Sequence, residues 1–468
     1  MATTDTTDTP DTPDGPDTAD VSDAADVPNA AKVPNAADVP NAADTSEPPD
    51  APDRSRGSRG SRGSHGLWRG RSYVLFVGAD AVSQVGAQVS LVALPLVAVL
   101  SLHAGPLQVG LLTAAQMAAF LLIGLPAGVW ADRLPRRRIL VAADLLRAVA
   151  LASIPVAVVA GGLSLPHLYA VAFVTGVGTV FFDVAHMSFL PSIVDRRHLA
   201  RGNGTIETIR STASLAGPGL GGWLVQVVTA PLALLADAVS YALSAVMLSA
   251  IPAAGTPPPR ADSGRPSLFT EVAEGVRYVA GHPVLRVIAL VGALNMLGYG
   301  AWTSAQALFV LRELRLGPGL YGAVISASAL GGLLGAVAAP RAVARWGTGR
   351  TLYGAAAVAL PATLVACLAA PGWRVALFPF GLAVAGLAGT VFSVTQLSYR
   401  QAMCPPRLLG RMNASMRFLM WSAMPFGGIL GGLVGEWRGV GDTLWAAAGV
   451  IALAHVPVLV AFRRITRL

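Results

Sequence analysis

Cysteine is almost absent from this chain. Cys367 lies within an apolar run and Cys404 stands beside Pro405, so no disulfide framework holds the fold. Charge is scarce as well: 13% of the 468 residues are charged and 53% are hydrophobic, with a positive mean hydropathy. That is too little polar surface to cover a soluble protein of this size. No HExxH, GxSxG or phosphate-loop motif occurs, and no Cys/His cluster is spaced for a metal. An enzyme, a cofactor, a metal site and ATP-driven pumping are therefore not expected.

The acids that are present are unevenly spread. Thirteen of the 26 fall between Asp5 and Asp53, which leaves 33 Arg against 13 acids in the remaining 415 residues. Nucleic-acid binding would need those Arg on a solvent-facing patch; here they fill short gaps between apolar runs, and the basicity reads as membrane topology. Residues 1–66 belong to another class, dominated by Asp, Thr, Pro and Ala with a short repeat, DVPNAAKVPNAADVPNAAD. They hold too few large apolar side chains to offset the entropy of folding, which predicts a disordered tail. Without the basic start and apolar stretch of a signal peptide, the tail is expected to stay in the cytoplasm, uncleaved. Arg54, Arg56, Arg59, Arg62, Arg69 and Arg71 then precede the first apolar run. They read as a flexible linker that holds the first helix start inside, or as a site for RNA or anionic lipid.

From residue 72 the chain breaks at Gly, Pro and Arg clusters into twelve apolar segments, each near the roughly 20 residues that cross a bilayer. They run at about 72–100, 106–131, 139–160, 167–190, 204–227, 231–251, 285–310, 319–341, 351–370, 374–397, 411–434 and 443–462. The pattern predicts an all-α integral membrane protein, with a six-helix bundle over 67–252, a central cytoplasmic loop over 253–284 and a second bundle over 285–468. Loops 132–138 and 191–203 hold four and three Arg, whereas 101–106, 161–167 and 228–231 hold none. By the positive-inside rule the Arg-rich side is cytoplasmic, and both termini with it. Arg312, Arg315, Arg374 and Arg438 fall on the outer side, against the trend.

An internal repeat organises the whole. Laying residues 182–222 on 392–432 at a constant offset of 210 matches Phe182 with Phe392, Ser188 with Ser398, Leu199 with Leu409, Arg201 with Arg411 and Asn203 with Asn413. Gly217, Gly221 and Gly222 fall on Gly427, Gly431 and Gly432. Two six-helix halves in parallel are the plan of a transporter whose substrate site lies between the halves near mid-membrane.

The stretch GLPAGVWADRLPRRR, residues 124–138, resembles the signature of the major facilitator superfamily in Gly124, Gly128, Ala131, Asp132, Arg133 and Arg136 to Arg138. AGPGLGGWL, with Gly217, Pro218, Gly221 and Gly222, is similar to the antiporter motif of drug and metabolite exporters in that superfamily. FFDVAHMSFLPSIVDRRHLARGNG, LLADAVSYALSA and EVAEGVRYVAGHPVLR resemble the branch of macrolide-efflux and enterobactin-exporter-type proteins. The resemblance covers residues 72–463 and implies the major facilitator fold and an export function. The basic residue often seen on the fourth helix of proton-coupled exporters is absent from LYAVAFVTGVGTVF.

These residues can be given physical work. Gly124 and Gly128, four apart, allow close approach of a neighbouring helix, and Asp132 stands where the second segment leaves the membrane. In the superfamily fold that neighbour is the eleventh segment, so Asp132 is expected to meet its start, through the dipole and Arg411, as a cytoplasmic latch. The repeat position of Asp132 is Ala342, so the latch is not duplicated; Glu207 against Arg341 or Arg345 is the second candidate. Arg133 and Arg137, with the rest of the basic cluster, serve the gate or only fix topology. Intramembrane acids are costly and mark function, and the candidates are Asp80, Asp144, Asp183 and Asp237. Asp144 has Arg147 one turn on and reads as half of an ion pair. Asp183, with His186 one turn away, relays protons or caps local backbone. Asp237 has Ser240 within one turn, and Asp80 is the first choice for proton coupling. Asn295, Tyr299, Trp302 and Gln306 form a polar and aromatic stripe at helical spacing, which lines a pocket or packs between helices. Gln116 and Gln88 are weaker candidates. Few charges are expected in the cavity, which favours neutral or weakly cationic amphipathic ligands.

The sequence thus points to a secondary active exporter of small amphipathic molecules, exchanging them for protons in the cell membrane as a monomer. An importer of the same fold and a non-transporting receptor are the alternatives.

Overall fold

In hydrocarbon a backbone N–H or C=O finds no partner but another backbone group, so apolar runs of this length fold as helices. The computed structural model describes residues 70–195, 198–252, 268–405 and 408–463, without the side chains of 125–133, 268–273, 283, 409–411 and 460–463. The tail read as disordered and the linker arginines Arg54 to Arg69 lie outside the described residues.

Thirteen helices follow in order among the described residues: α1 (Arg71–Leu96), α2 (Pro106–Arg133), α3 (Arg136–Val159), α4 (Leu165–Ile193), α5 (Leu199–Val228), α6 (Ala230–Ser249), α7 (Leu268–Gly281), α8 (Pro283–Leu308), α9 (Pro318–Cys367), α10 (Leu377–Met403), α11 (Leu409–Trp421), α12 (Ala423–Arg438) and α13 (Val440–Arg463). Ten stretches of them are long and apolar enough to cross a membrane, with α11 and α12 sharing one. The fifty-residue α9 breaks at Gly347 (φ 78°, ψ 163°) and counts as two crossings. The thirty-residue α5 carries Arg201, Glu207 and Arg210 in its first turns and becomes apolar beyond them. With that second limb and α5, the ten become twelve crossings, as the segment pattern predicts. The helix α7 stands inside the stretch read as a loop. Its Val272, Val276 and Val279 recur at helical spacing, and Val279 packs with Leu285, Met412 and Met416, so it is a surface helix docked on the second half.

In one half α1 packs on α5 and α6, α3 on α4 and α6, and α2 on α4. In the other, α8 packs on α12 and α13, and α9 on α10 and α13. Between the halves α5 meets α9, and α2 meets α12 and α8. The end holding the α2–α3 and α4–α5 loops is called the basic end below, and the opposite end the far end.

The repeat is visible in backbone detail. Each half's first helix finishes in a π turn, Val97–Ser101 and Phe309–Glu313. Each turn leads to a residue with positive φ, His103 and Arg315, and then to a helix opening on Pro106 or Pro318. The offset here is 212, two residues more than in the later helices. At offset 210, Thr229 (φ 104°) takes the backbone conformation of Gly439 (φ 103°). Arg312, off the charge trend, has a structural reason to be at the far end: its guanidinium donates to the Ala104 carbonyl of the other half at 2.9 Å.

Among the described residues the buried apolar cluster that spans both halves lies toward one end. A single cluster joins Val92, Leu96 and Leu234 to Leu308, Phe378 and Leu444 toward the far end. Toward the basic end the clusters separate: Phe76, Leu140, Phe189 and Leu248 form one in the first half, and the second half keeps its own around Met412, Val458 and Ala339.

Candidate functional site

The four candidate acids, Asp80, Asp144, Asp183 and Asp237, all stand in the first half, and three of them are buried within it. Asp144 and Arg147, one turn apart on α3, form an ion pair; both are buried, at 0% and 3% exposure. Ser244 of α6 donates to the other Asp144 oxygen at 2.6 Å. The Arg147 guanidinium also lies over the rings of Phe182 (4.5 Å) and Tyr241 (4.0 Å), so its charge is held by a carboxylate and two aromatic faces. Asp237 of α6 accepts from Ser90 of α1 and from Ser240, the latter at 3.0 Å. Asp80 of α1 is 1% exposed, and His186 Nε2 of α4 approaches its Oδ1 to 3.1 Å without the alignment of a hydrogen bond. The His186 ring is stacked between Phe76 and Phe182. The sequence places His186 beside Asp183; in the fold its Nε2 lies against Asp80, and Asp183 lines the cavity described below.

At the far end the halves are joined by backbone against backbone. Side chains at Gly217 and Gly221 would strike α1 at Gln88 and Val89, while one at Gly222 would strike α9, 2.5 Å from the Pro318 carbonyl. Gly427 and Gly431 repeat the first pair against Leu297 and Ala301 of α8, and Gly432 repeats the last against Leu107 of α2. The two crossings between halves are thus related by the repeat: Gly222 with Gly322, and Gly432 and Gly428 with Leu107 and Gly110. Gly219 N–H donates to Ser326 Oγ (3.0 Å) and Gly319 N–H to Gln226 Oε1 (3.2 Å) at the α5–α9 crossing. Pro218 adds a carbonyl at the point of closest approach to Gly322. Small residues let α-helices approach this closely.

Toward the basic end the same helices part. Gly124 on α2 and Gly204 on α5 have nothing in front of them within 4 Å. Glu207, Arg341 and Arg345 are all exposed, and the proposed Glu207 pair is not formed: Arg341 donates to Val337 O of its own helix at 2.8 Å. Arg137 donates to the Ile251 carbonyl and Arg136 to the Ser188 carbonyl (3.1 Å), so these two arginines bind helix ends of their own half. The Gly128, Asp132, Arg133 and Arg411 side chains lie outside the described residues.

Where α2, α4 and α11 part, a cavity of about 180 Å³ opens. Phe120, Phe418 and Trp421 supply aromatic wall; Asp183 comes from the first half and Arg417 from the second. Phe120 and Trp421 lie 5.9 Å apart by ring centroids, and the Arg417 guanidinium sits 5.6 Å over the Trp421 ring. The sequence-derived pocket stripe is elsewhere. Trp302 stacks on Phe378 at 5.9 Å and Gln306 is buried with it, whereas Tyr299 is 48% exposed and Asn295 donates to Val291 O of its own helix at 3.4 Å. Gln116 lies one turn from Phe120 without lining the cavity, its carbonyl against Gly176. Few charges are expected in the cavity from sequence, and this one is lined by one of each sign, Asp183 and Arg417. Phe120 and Trp421 were not found from sequence, since aromatics on apolar helices carry no mark of which face opens to a cavity.

Two parallel six-helix halves, glycine crossings at one end and an inter-half cavity at the other are now joined by a direct match: the profile of the Major Facilitator Superfamily fits residues 77–426. The chain belongs to the major facilitator superfamily. It is a multi-pass membrane transporter, not an enzyme. It is 26% identical over 397 residues to the multidrug efflux pump Tap of Mycolicibacterium fortuitum, spanning 81% of this chain and 94% of that one. To macrolide efflux protein A of Streptococcus pyogenes it is 24% identical over 382 residues, 80% and 91% of the two chains. The fold matches a bacterial homologue of the iron transporter ferroportin in its inward-facing state, with a TM-score of 0.67 at 19% identity over 85% of this chain and 99% of that one.

Proposed function

We propose that the chain exports small amphipathic molecules, an antibiotic, drug or secondary metabolite, across the cell membrane by alternating access, in exchange for protons. The observation that carries this is the asymmetry of contact between the halves: backbone crossings seal the far end, while the basic end is parted around a cavity. With both termini and the Arg-rich loops in the cytoplasm, this is the state that loads cargo from inside. The similarity to Tap and macrolide efflux protein A supports efflux as the direction.

Closing the basic end would bring Asp132 toward the start of α11 with Arg411, and Glu207 toward Arg341 or Arg345. Charged pairs are suited to this because, in water-facing positions, they cost little to break and remake. The far end lacks such flexibility and opens by separating two glycine crossings. Coupling to protons is assigned to the buried acids of the first half. Asp183 and His186 stand one turn apart on α4; Asp183 lines the cavity and His186 faces Asp80 on α1. Movement of α4 on loading is thereby passed to the Asp80–His186 pair, the group best placed to take up and release a proton. Asp144 with Arg147, and Asp237 with its serines, hold α1, α3 and α6 together.

Reconstituted protein tests this. Addition of an amphipathic dye should move protons across the liposome membrane with the wild type, while Asp80→Asn binds the dye and moves none. Dye flux driven by sodium or by no ion would refute proton coupling.

A further inference from the structure

We infer that the cavity between α2, α4 and α11 selects amphipathic zwitterions: an aromatic body bearing both an amine and a carboxylate. The inference rests on this cavity being where cargo loads. Asp183 and Arg417 enter it from opposite halves, and no hydrogen bond or ion pair joins either to a described residue. Asp183 is half-buried and Arg417 exposed, and among the described residues neither makes an ion pair at the wall of a space otherwise lined mainly by aromatic and aliphatic groups. A partner adds most at the half-buried Asp183 carboxylate, where water is thinnest, and less at the exposed Arg417 guanidinium.

The local field decides between ligand classes. Asp183 feels Arg147, Arg417, Arg210 and His186 together. A cation at Asp183 is therefore attracted by one carboxylate and opposed by Arg417 and Arg210, the Arg147 charge being answered by Asp144. An anion at Arg417 is drawn by that guanidinium and opposed by Asp183. A neutral ligand displaces water from both charges and replaces it with nothing. A zwitterion gives Asp183 its cation and Arg417 its anion at once. Its aromatic body then packs against the joined face of Phe120 and Trp421, whose ring already carries the Arg417 guanidinium. Because the two charges sit on different halves, such a ligand also draws the halves together at the basic end, which a singly charged ligand does not.

Three fluorescent probes of one length separate these cases: Nε-dansyl-lysine carries an amine and a carboxylate, monodansylcadaverine the amine alone, and 6-(dansylamino)hexanoic acid the carboxylate alone. Equilibrium binding to the purified full-length protein is read by dansyl emission and by energy transfer from tryptophan. The wild type should bind dansyl-lysine about tenfold or more tightly than either singly charged probe. Asp183→Asn should abolish its advantage over the hexanoic acid, and Arg417→Gln its advantage over the cadaverine. Affinities within twofold of one another in the wild type, no binding of any probe, or a preference that survives both substitutions, would overturn the inference. The wild-type series decides even if a variant misfolds. Export of other dyes into inside-out vesicles, measured alongside, tells the two readings apart: export without zwitterion preference sinks only this one.

Discussion

The glycine crossing between α5 and α9 gives a perturbation whose size can be worked out. A Cβ at Gly322 would stand 2.1 Å from the Pro218 carbonyl oxygen and 3.0 Å from the Gly222 Cα. Ordinary contact begins at 3.4 Å, so the shortfall is the difference between 3.4 and 2.1, or 1.3 Å. Both obstructing atoms are backbone, so no side chain can turn away and the helices themselves must part. Overpacking of this kind costs about 1–3 kcal/mol. The gain in helix propensity of about 1 kcal/mol from Gly to Ala acts on both conformations and cancels. Only the sealed far end carries the clash, so Gly322→Ala should move the balance toward the far-end-open state by about 5- to 150-fold. Pairs of spin labels report this: Val227 with Leu320 at the far end, and Glu207 with Arg345 at the basic end, each exposed and one from each half. The native thiols, Cys367 and Cys404, are both buried and are replaced by serine for this purpose. The first distance should lengthen and the second shorten. Gly449→Ala, on α13 and with nothing within 4 Å, is the control and should change neither. Unchanged distances in a folded Gly322→Ala protein, or the same shift in the control, would show that the α5–α9 crossing does not set the balance between the two states.

Three further outcomes follow from the packing. Arg147→Met strands Asp144 among apolar groups and should cost about 3–5 kcal/mol, seen as a lowered thermal unfolding midpoint in detergent; Asp144→Asn in the same chain should recover most of it. No recovery would mean that the guanidinium acts through its ring contacts and not its charge. Thr229→Gly, at φ 104°, should stabilise by about 1 kcal/mol, and Gly439→Thr should destabilise by about 1–3 kcal/mol, because the repeat demands the same backbone at both. Arg137→Gln loses its bond to the Ile251 carbonyl and should cost about 1 kcal/mol in stability while dye flux persists, since the bond lies within one half. Loss of flux at unchanged stability would place Arg137 in the gate instead.

Much of the fold is legible in the sequence because bilayer thickness and charge bias act on whole segments. Twelve crossings are countable from apolar length alone, and α5 shows where that signal thins, its first turns being polar because they line the parted end. The glycines of α5 and α12 are visible through the offset of 210. Their partners Gly110 and Gly322 match at 212, so a single ungapped alignment hides the crossings they make. Side-chain partners were less accessible. Asp144 with Arg147 is local and readable from spacing. Ser90 with Asp237 joins residues 147 apart, and nothing in either helix marks the other. His186 illustrates the limit: spacing suggests Asp183, and only the packing of α1 against α4 turns the ring toward Asp80. The cavity charges depend on how far the halves have separated, a property of the conformation that no local pattern encodes.

Export by alternating access in exchange for protons can be measured in sealed vesicles of known orientation. Inside-out vesicles with an acidified lumen should accumulate an amphipathic dye against its gradient, and the accumulation should collapse when the proton gradient is dissipated. Right-side-out vesicles under the same gradient of pH across the protein should not accumulate it. Accumulation in right-side-out vesicles, or accumulation that survives loss of the proton gradient, would rule out proton-driven export by this protein.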